Sequence, residues 1–141
     1  LNQSKKKETK ILSREGPVSK ANRVKRSKFL SLFSIERIKS EILGETYELS
    51  FAFIETPEMQ KLNKEYRGKD YPTDILSFPL SDTAGEILIC KEVAKEKSKD
   101  FDMSASEYLV FLVIHGVLHL KGLDHGEEME SLEKKYLAKF K

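Results

Sequence analysis

The sequence predicts an α/β fold of the α+β kind, in which a single domain packs a mixed sheet of about four strands against about five helices. The 141 residues are enough for one domain with its own core. Strand-like and helix-like segments alternate in the order β-α-β-α-β-β-α-α, which is typical of helices packed on a sheet. The composition is 39% hydrophobic and 34% charged, and no apolar run reaches membrane-spanning length, so no membrane partner is expected.

The first third of the chain contains two strand candidates and a long helical pattern. Residues 9–13 could form a short strand, and apolar residues at spacings of three and four run from Ser19 to Leu43. This pattern fits one helix or two helices that meet near Ser34. Residues 47–54 then place aromatic and aliphatic side chains at alternate positions, which predicts a strand.

The middle of the chain predicts a helix, a hairpin and a short helix. Thr56 and the proline after it are a candidate N-cap and a first helical residue, and Gly68 is a candidate stop. Strands are expected at 73–80 and 86–90, joined by a turn, and a short helix at 91–99.

A buried helix is expected next, followed by a terminal helix. Ser104 and the glutamate three residues later form a capping box, and the segment 105–121 is apolar on nearly every face. Gly122 ends this helix. The last segment, 127–140, carries one apolar stripe and predicts an amphipathic helix.

All three histidines lie within the stretch HGVLHLKGLDHG, residues 115–126. His115 and His119 are four apart on the buried helix, so their rings leave the same face. Gly122 permits a sharp turn that brings His125 back toward them. Three imidazoles arranged in this way supply three corners of a tetrahedron and leave the fourth to water, which predicts a metal site at this central helix rather than three hydrogen-bonded core residues.

The same spacing occurs in the zinc peptidase motif H-E-x-x-H-x-x-G-x-x-H, but Gly116 stands where those enzymes carry the glutamate that activates water. A bound metal can still activate water without that residue. Phosphodiester cleavage also needs positive charge facing the phosphate oxygens, which directs attention to an arginine.

Two further features concern charge and redox state. Residues 1–28 hold ten Lys or Arg against two Glu, a charge of +8 in a chain of net +2, so the rest sums to −6. We expect a basic N-terminal segment, 1–28, followed by the domain proper, 29–141; such an arm can attract a polyanion, or can be a solvated terminus. The single cysteine, Cys90, cannot form an internal disulfide and fits a cytoplasmic protein, in which it is expected to be a small buried side chain.

The histidine stretch resembles the signature of the YbeY family, bacterial metal-dependent endoribonucleases of rRNA maturation. The block LNKEYRGKDYPTDILSFPL, residues 62–80, is similar to a second motif of that family, and GEILI follows where the family has a matching segment. The resemblance spans about residues 47–137, and the first 46 residues match only in outline.

The resemblance implies that His115, His119 and His125 bind one Zn²⁺ per chain and that Arg67 contributes to activity in the cleft. A guanidinium suits that role because it donates two parallel hydrogen bonds to phosphate oxygens; a residue stabilising a helix end is the alternative. Asp124 could orient an imidazole, act as general base, or cap the terminal helix.

Other positions carry weaker expectations. Asp74 most simply caps a turn, although its block lines the family's cleft. Leu123 and Glu86 depart from the residues usual in the family, and the longer side chain of Glu86 argues against a site role. RNA contact by the basic arm is inferred from charge alone and is not a family feature; its candidate residues are Lys5, Lys6, Lys7, Arg23, Lys25 and Arg26.

The function implied is a zinc-dependent endoribonuclease that cuts single-stranded RNA, acts near the 3′ end of small-subunit rRNA and in ribosome quality control, and has the small ribosomal subunit as partner. Two alternatives stay open. A zinc peptidase or amidase would need a carboxylate such as Asp124 or Glu86 in the site. A non-catalytic ribosome-assembly factor would hold a structural zinc, for which Cys90 is the candidate fourth ligand.

Overall fold

A mixed three-stranded sheet with helices on both faces forms the protein in the computed structural model, which describes residues 32–141. The strand expected at 9–13, the start of the first helical pattern and the basic segment 1–28 lie outside the described residues. The strands are β1 (Glu48–Phe53), β2 (Ile75–Ser81) and β3 (Ala84–Ile89). The helices are α1 (Leu32–Leu43), α2 (Thr56–Arg67), α3 (Lys91–Ser98), α4 (Ala105–Lys121) and α5 (Glu127–Phe140), with a 3₁₀ turn at Lys99–Phe101.

The central strand of the sheet is β3, which pairs parallel with β1 and antiparallel with β2. The hairpin between β2 and β3 turns at residues 82 and 83, so Ser81 pairs with Ala84. Pro79 lies beside a register shift in β2, an edge strand, where a missing N–H is tolerated. The α+β class, the five helices and the three strands expected in this part of the chain are therefore confirmed.

The two faces of the sheet bury different helices. Alternate residues of a strand point to opposite faces. Ile87 and Ile89 of β3 pack with the apolar residues of α4, α1 and α5. Leu88 of β3 packs on the other face, in a second cluster with Met59 and Leu62 of α2. The helix that carries the first two histidines is thus held against one defined face of the sheet.

Local sequence signals place most helix ends correctly. Gly68 and Gly122 both adopt the left-handed conformation after their helices, with φ of 72° and 109°. Ser104 accepts a hydrogen bond from the Glu107 N–H at 3.1 Å, as the capping box predicts. Thr56 is the exception, because it is the first helical residue and Glu55 is the N-cap. Its hydroxyl instead donates to Glu92 at the start of α3.

Within residues 32–141 no single helix combines the length and the apolar character needed to span a membrane. Only the pair Lys91–Phe101 and Ala105–Lys121 meets those criteria jointly, across a bend of 101°.

Candidate metal centre

The three histidines converge at the C-terminal end of α4. The ring of His119 lies 4.5 Å from that of His115 and 4.7 Å from that of His125, and the rings of His115 and His125 are 5.2 Å apart. One nitrogen from each ring falls within 4.8 Å of the others. His115 and His119 are half-buried and His125 is exposed, so the cluster opens to solvent on the side of His125.

A glycine-closed turn produces this convergence. The N–H of Gly122 donates to the His119 carbonyl at 2.9 Å, and the N–H of Leu123 donates to the Leu118 carbonyl at 3.1 Å. This pair of bonds is the Schellman pattern, which needs a left-handed residue at Gly122. The chain therefore reverses at once, and His125 returns to the face that His115 and His119 already share.

Hydrogen bonds fix the tautomers of the first two histidines. Nδ1 of His119 lies 3.0 Å from the Leu123 carbonyl oxygen, which can only accept, so this nitrogen carries the proton. Nδ1 of His115 lies 2.5 Å from Oε2 of Glu133 and donates to that carboxylate. In the neutral rings both Nε2 atoms then present lone pairs, and these two atoms are only 3.1 Å apart.

This arrangement fits a cation. Two lone pairs that face each other at 3.1 Å repel unless a positive charge lies between them. Two nitrogens that bind one Zn²⁺ at about 2.0–2.1 Å with a tetrahedral angle are about 3.4 Å apart, close to the separation seen. An acceptor that takes a hydrogen bond from the far nitrogen of a ligand histidine, as Glu133 and the Leu123 carbonyl do here, is also the usual support of such sites.

Burial and nearby positive charges lower the pKa of His119, and Arg67 is one of these charges. The pKa of His119 lies below its ordinary range, mainly because the ring is buried and further because His115, His125 and Arg67 contribute positive charge; the bond to the Leu123 carbonyl opposes the shift. Arg67 is exposed at the last turn of α2, on the Gly68 end. Its charge acts on His119, and it also lies at a helix end, as the alternative holds, so its part in catalysis stays a prediction.

Two other predicted site residues, Asp124 and Asp74, differ in their surroundings. Asp124 is exposed between the turn and His125, and it does not cap α5, whose N-cap is Gly126. Its part in catalysis stays a prediction. Asp74 is buried, and its Oδ2 accepts a hydrogen bond from the Tyr108 hydroxyl at 2.8 Å. Burial, and then this bond, raise the pKa of Tyr108, so the hydroxyl stays protonated.

Glu86 and Cys90 point away from the histidines. In β3 the odd-numbered residues face α4, since a side chain at Gly85 would meet Leu120. The even-numbered residues therefore face α2, where Cys90 is completely buried in the second core cluster and Glu86 is also fully buried. Neither residue is placed to supply a carboxylate or a fourth ligand to the cluster.

Gly116 faces the sheet, which explains the missing glutamate. A Cβ at this position would lie 2.9 Å from Cδ1 of Ile75 and 3.0 Å from Cδ1 of Ile87. The carbonyl of Gly116 also accepts a hydrogen bond from the Ser77 hydroxyl at 3.1 Å. The helix therefore packs directly on β2 and β3 at this residue, and a glutamate side chain there would point into the sheet.

The sequence interpretation missed Glu133. This residue lies on α5 with only 9% of its surface exposed, and it orients His115. A signal existed: Glu133 is four residues after Met129 and three before Tyr136, so it interrupts the apolar stripe of the terminal helix. A carboxylate on the buried face of a helix needs a partner, but the sequence alone does not say which one.

The fold and the cluster define a class of protein: a compact α+β domain with a three-histidine candidate metal site on a buried helix. Comparison with known proteins gives the family. The family model described as Endoribonuclease YbeY matches residues 18–141. The chain therefore belongs to the YbeY endoribonuclease family.

Individual relatives agree with this assignment. Proteins named Endoribonuclease YbeY are 42% identical over 98 residues in Alkaliphilus metalliredigens and 44% identical over 93 residues in Carboxydothermus hydrogenoformans. The alignments cover 62% of this chain in both cases, and 63% and 65% of the relatives, so the match spans just under two thirds of their length. A solution structure from Thermotoga maritima, 33% identical, matches with a TM-score of 0.57 over 75% of this chain and 78% of that one.

Proposed function

We propose that the protein is a zinc-dependent endoribonuclease that cuts single-stranded RNA. The observation that carries the proposal is the convergence of three imidazole nitrogens, two of which present lone pairs to each other at 3.1 Å. Membership in a family of endoribonucleases supports the substrate class. The glycine that faces the sheet at position 116 supports phosphodiester rather than peptide chemistry, because it removes the carboxylate on which the peptidase motif depends.

The donor set favours Zn²⁺. Three neutral imidazoles suit zinc, whereas Mg²⁺ and Ca²⁺ prefer oxygen ligands. His115, His119 and His125 would hold one ion per chain, with the open side at the exposed His125. Zinc held there would supply Lewis acidity and would lower the pKa of water to about 7, so that hydroxide becomes available at neutral pH.

The side chains around the cluster then have separate tasks. Arg67 donates hydrogen bonds to the phosphate oxygens and stabilises the negative charge that develops on them. Asp124, exposed next to His125, accepts a proton from the attacking group as general base. Glu133 and the Leu123 carbonyl hold the first two imidazoles in the ligand tautomer.

Membership in the family suggests an RNA substrate and a partner in the cell. We propose that the substrate is rRNA near the 3′ end of the small-subunit species, that the partner is the small ribosomal subunit, and that the protein acts in the cytoplasm. The basic segment 1–28 would add affinity for RNA by releasing counterions. Its contacts would be Lys5, Lys6, Lys7, Arg23, Lys25 and Arg26.

Two variants separate the metal ligands from the phosphate contact. His119→Ala should lose both zinc and RNA cleavage, because it removes a ligand. Arg67→Ala should keep zinc and cut RNA about 100-fold more slowly, as loss of one donor to a developing charge does in other enzymes. Lys69→Ala, another exposed cation near the end of α2, is the control.

The measurements are metal content of the purified proteins and cleavage of a labelled single-stranded RNA before and after chelation. His119→Ala, purified in parallel, reports contaminating nuclease. Metal-dependent cleavage of equal speed in the wild type and in His119→Ala would refute the proposal. Wild-type speed in Arg67→Ala would refute the role given to that arginine.

A further inference from the structure

Three aromatic rings lead from the surface to the metal centre. Phe101 stacks on Tyr108 with ring centroids 5.3 Å apart, and Tyr108 stacks on Phe111 at 5.7 Å. Phe111 in turn lies 5.9 Å from the ring of His115. Successive planes are inclined by 26° to 30°, so the rings are nearly parallel. Tyr108, Phe111 and His115 are three and four residues apart on α4 and hence share one face of it.

A cavity of about 310 Å³ lies along this face and reaches the metal centre. Both His115 and His125 line it, so a group bound inside lies beside the zinc ligands. Its volume is at the lower end of the range of small-molecule sites, about 300–1,000 Å³. The outer wall includes Phe101, which is 52% exposed although its ring is large and apolar.

The charges of the cavity exclude a phosphate as occupant. Among the described residues that line it, the charged side chains are Asp74, Glu130 and Glu133, all carboxylates. Lys97 does not line the cavity, although its Nζ lies 3.8 Å from Oδ1 of Asp74. The arginine assigned to the phosphate, Arg67, is not part of the lining. A neutral, flat ring fits this wall, whereas an anion would meet three acids.

We propose that this cavity is a nucleobase subsite, in which one unpaired base of the RNA strand stacks on the exposed ring of Phe101, beside the phosphate held at the metal centre. The inference rests on the proposed function and extends it to substrate recognition. Stacking needs only the face of the base, so it does not depend on sequence. It does require a base that is free to leave its own stack, which gives a physical reason for cutting single strands.

The experiment combines a protein variant with a base deletion. The cut in a short labelled single-stranded RNA is mapped with the zinc-loaded protein, and abasic nucleotides are then placed one at a time on either side of it. Single-turnover cleavage gives the half-saturating protein concentration for each RNA. In the wild type, one abasic position next to the cut should raise this concentration about 5- to 10-fold, the low end of the cost of losing a base–aromatic stack.

In Phe101→Leu, the abasic nucleotide next to the cut should no longer raise the half-saturating protein concentration. The reason is that the aromatic ring on which the missing base would stack is itself absent. Phe101→Trp should retain the effect of the abasic nucleotide. Tyr71→Leu is the matched control, since Tyr71 is also 52% exposed but does not line the cavity, and it should respond to the abasic position as the wild type does. Circular dichroism of each variant checks folding.

The possible failures are distinct. If cleavage depends on zinc and on His119 but no abasic position matters, or if Phe101→Leu keeps the full abasic effect, the subsite is refuted and the nuclease stands. If metal-dependent cleavage is absent altogether, the proposed function is refuted and the subsite with it.

Discussion

The contact between Glu133 and His115 gives the most direct test of the metal centre. The carboxylate lies 2.5 Å from Nδ1 of His115 and is only 9% exposed, so water does not replace it easily. Glu133→Gln keeps the shape and an acceptor oxygen but removes the negative charge. A hydrogen bond to a charged group contributes about 1.5–3 kcal/mol, and a neutral one about 0.5–1.5 kcal/mol.

The difference of about 1–1.5 kcal/mol corresponds to a 5- to 10-fold loss of zinc affinity. Glu133→Ala removes the acceptor as well. Loss of the hydrogen-bond partner of a ligand histidine lowers metal affinity about 10- to 100-fold, and this variant should lie near the upper end of that range. The two variants should therefore rank in the order wild type, Gln, Ala.

Competition with a chromophoric chelator at neutral pH measures this affinity. Glu128→Gln serves as control, because Glu128 is exposed in the first turn of the same helix and its loss changes the net charge equally. Thermal unfolding of the metal-free proteins separates a loss of fold from a loss of binding. A folded Glu133→Gln protein that binds zinc as tightly as the control would show that this carboxylate does not support a ligand, and the tautomer argument for His115 would be wrong.

Three further predictions concern packing and the boundaries of the site. Gly116→Leu should destabilise the protein by about 1–3 kcal/mol, because its Cβ would already lie 2.9 Å from Cδ1 of Ile75 and the rest of the side chain would enter the packed face of the sheet. Combining it with Ile75→Val should recover part of the loss in denaturant melts, and equal stability of Gly116→Leu and wild type would contradict the close packing. Tyr108→Phe removes the donor 2.8 Å from the buried Asp74 and should cost about 1–3 kcal/mol by the same measurement, whereas an unchanged midpoint would show that the bond contributes nothing. Cys90→Ala should leave one zinc per chain, since Cys90 lies on the far face of the sheet, and loss of zinc in this folded variant would revive the structural-zinc alternative.

Local chemistry explains what the sequence predicts well. Helix ends follow from glycines that accept positive φ, as at Gly68 and Gly122, and from the hydroxyl of Ser104. The spacing of the histidines also predicts that their rings converge. A helix places His115 and His119, four residues apart, on one face, and Gly122 reverses the chain so that His125 returns to that face. In each case the residues that determine the structure lie within a few positions of one another.

Contacts between distant segments explain what the sequence does not predict. Glu133 meets His115 from 18 residues away, through the packing of α5 on α4. Thr56 looks like an N-cap, but its hydroxyl has a partner 36 residues away at the start of α3, and Glu55 takes the cap position although its side chain does not cap the helix. The cavity beside Phe101 likewise depends on where α5 and the start of β2 meet α4. Partners of this kind depend on the register of the packed elements, on which a single sequence carries little information.

Gly116 shows how packing limits the chemistry of this centre. Both histidines lie on one face of α4. The next residue after His115, Gly116, faces the sheet, where a Cβ would lie 2.9 Å from Ile75 and 3.0 Å from Ile87. A helix that faces the sheet at this position cannot also present a carboxylate from position 116 to the histidines. The proposed reaction would therefore take its proton transfer and charge stabilisation from other elements, for which the candidates are the exposed Asp124 beside His125 and Arg67 at the end of α2. A reaction that develops charge on phosphate oxygens can use such an arrangement, because its main demand is for positive charge.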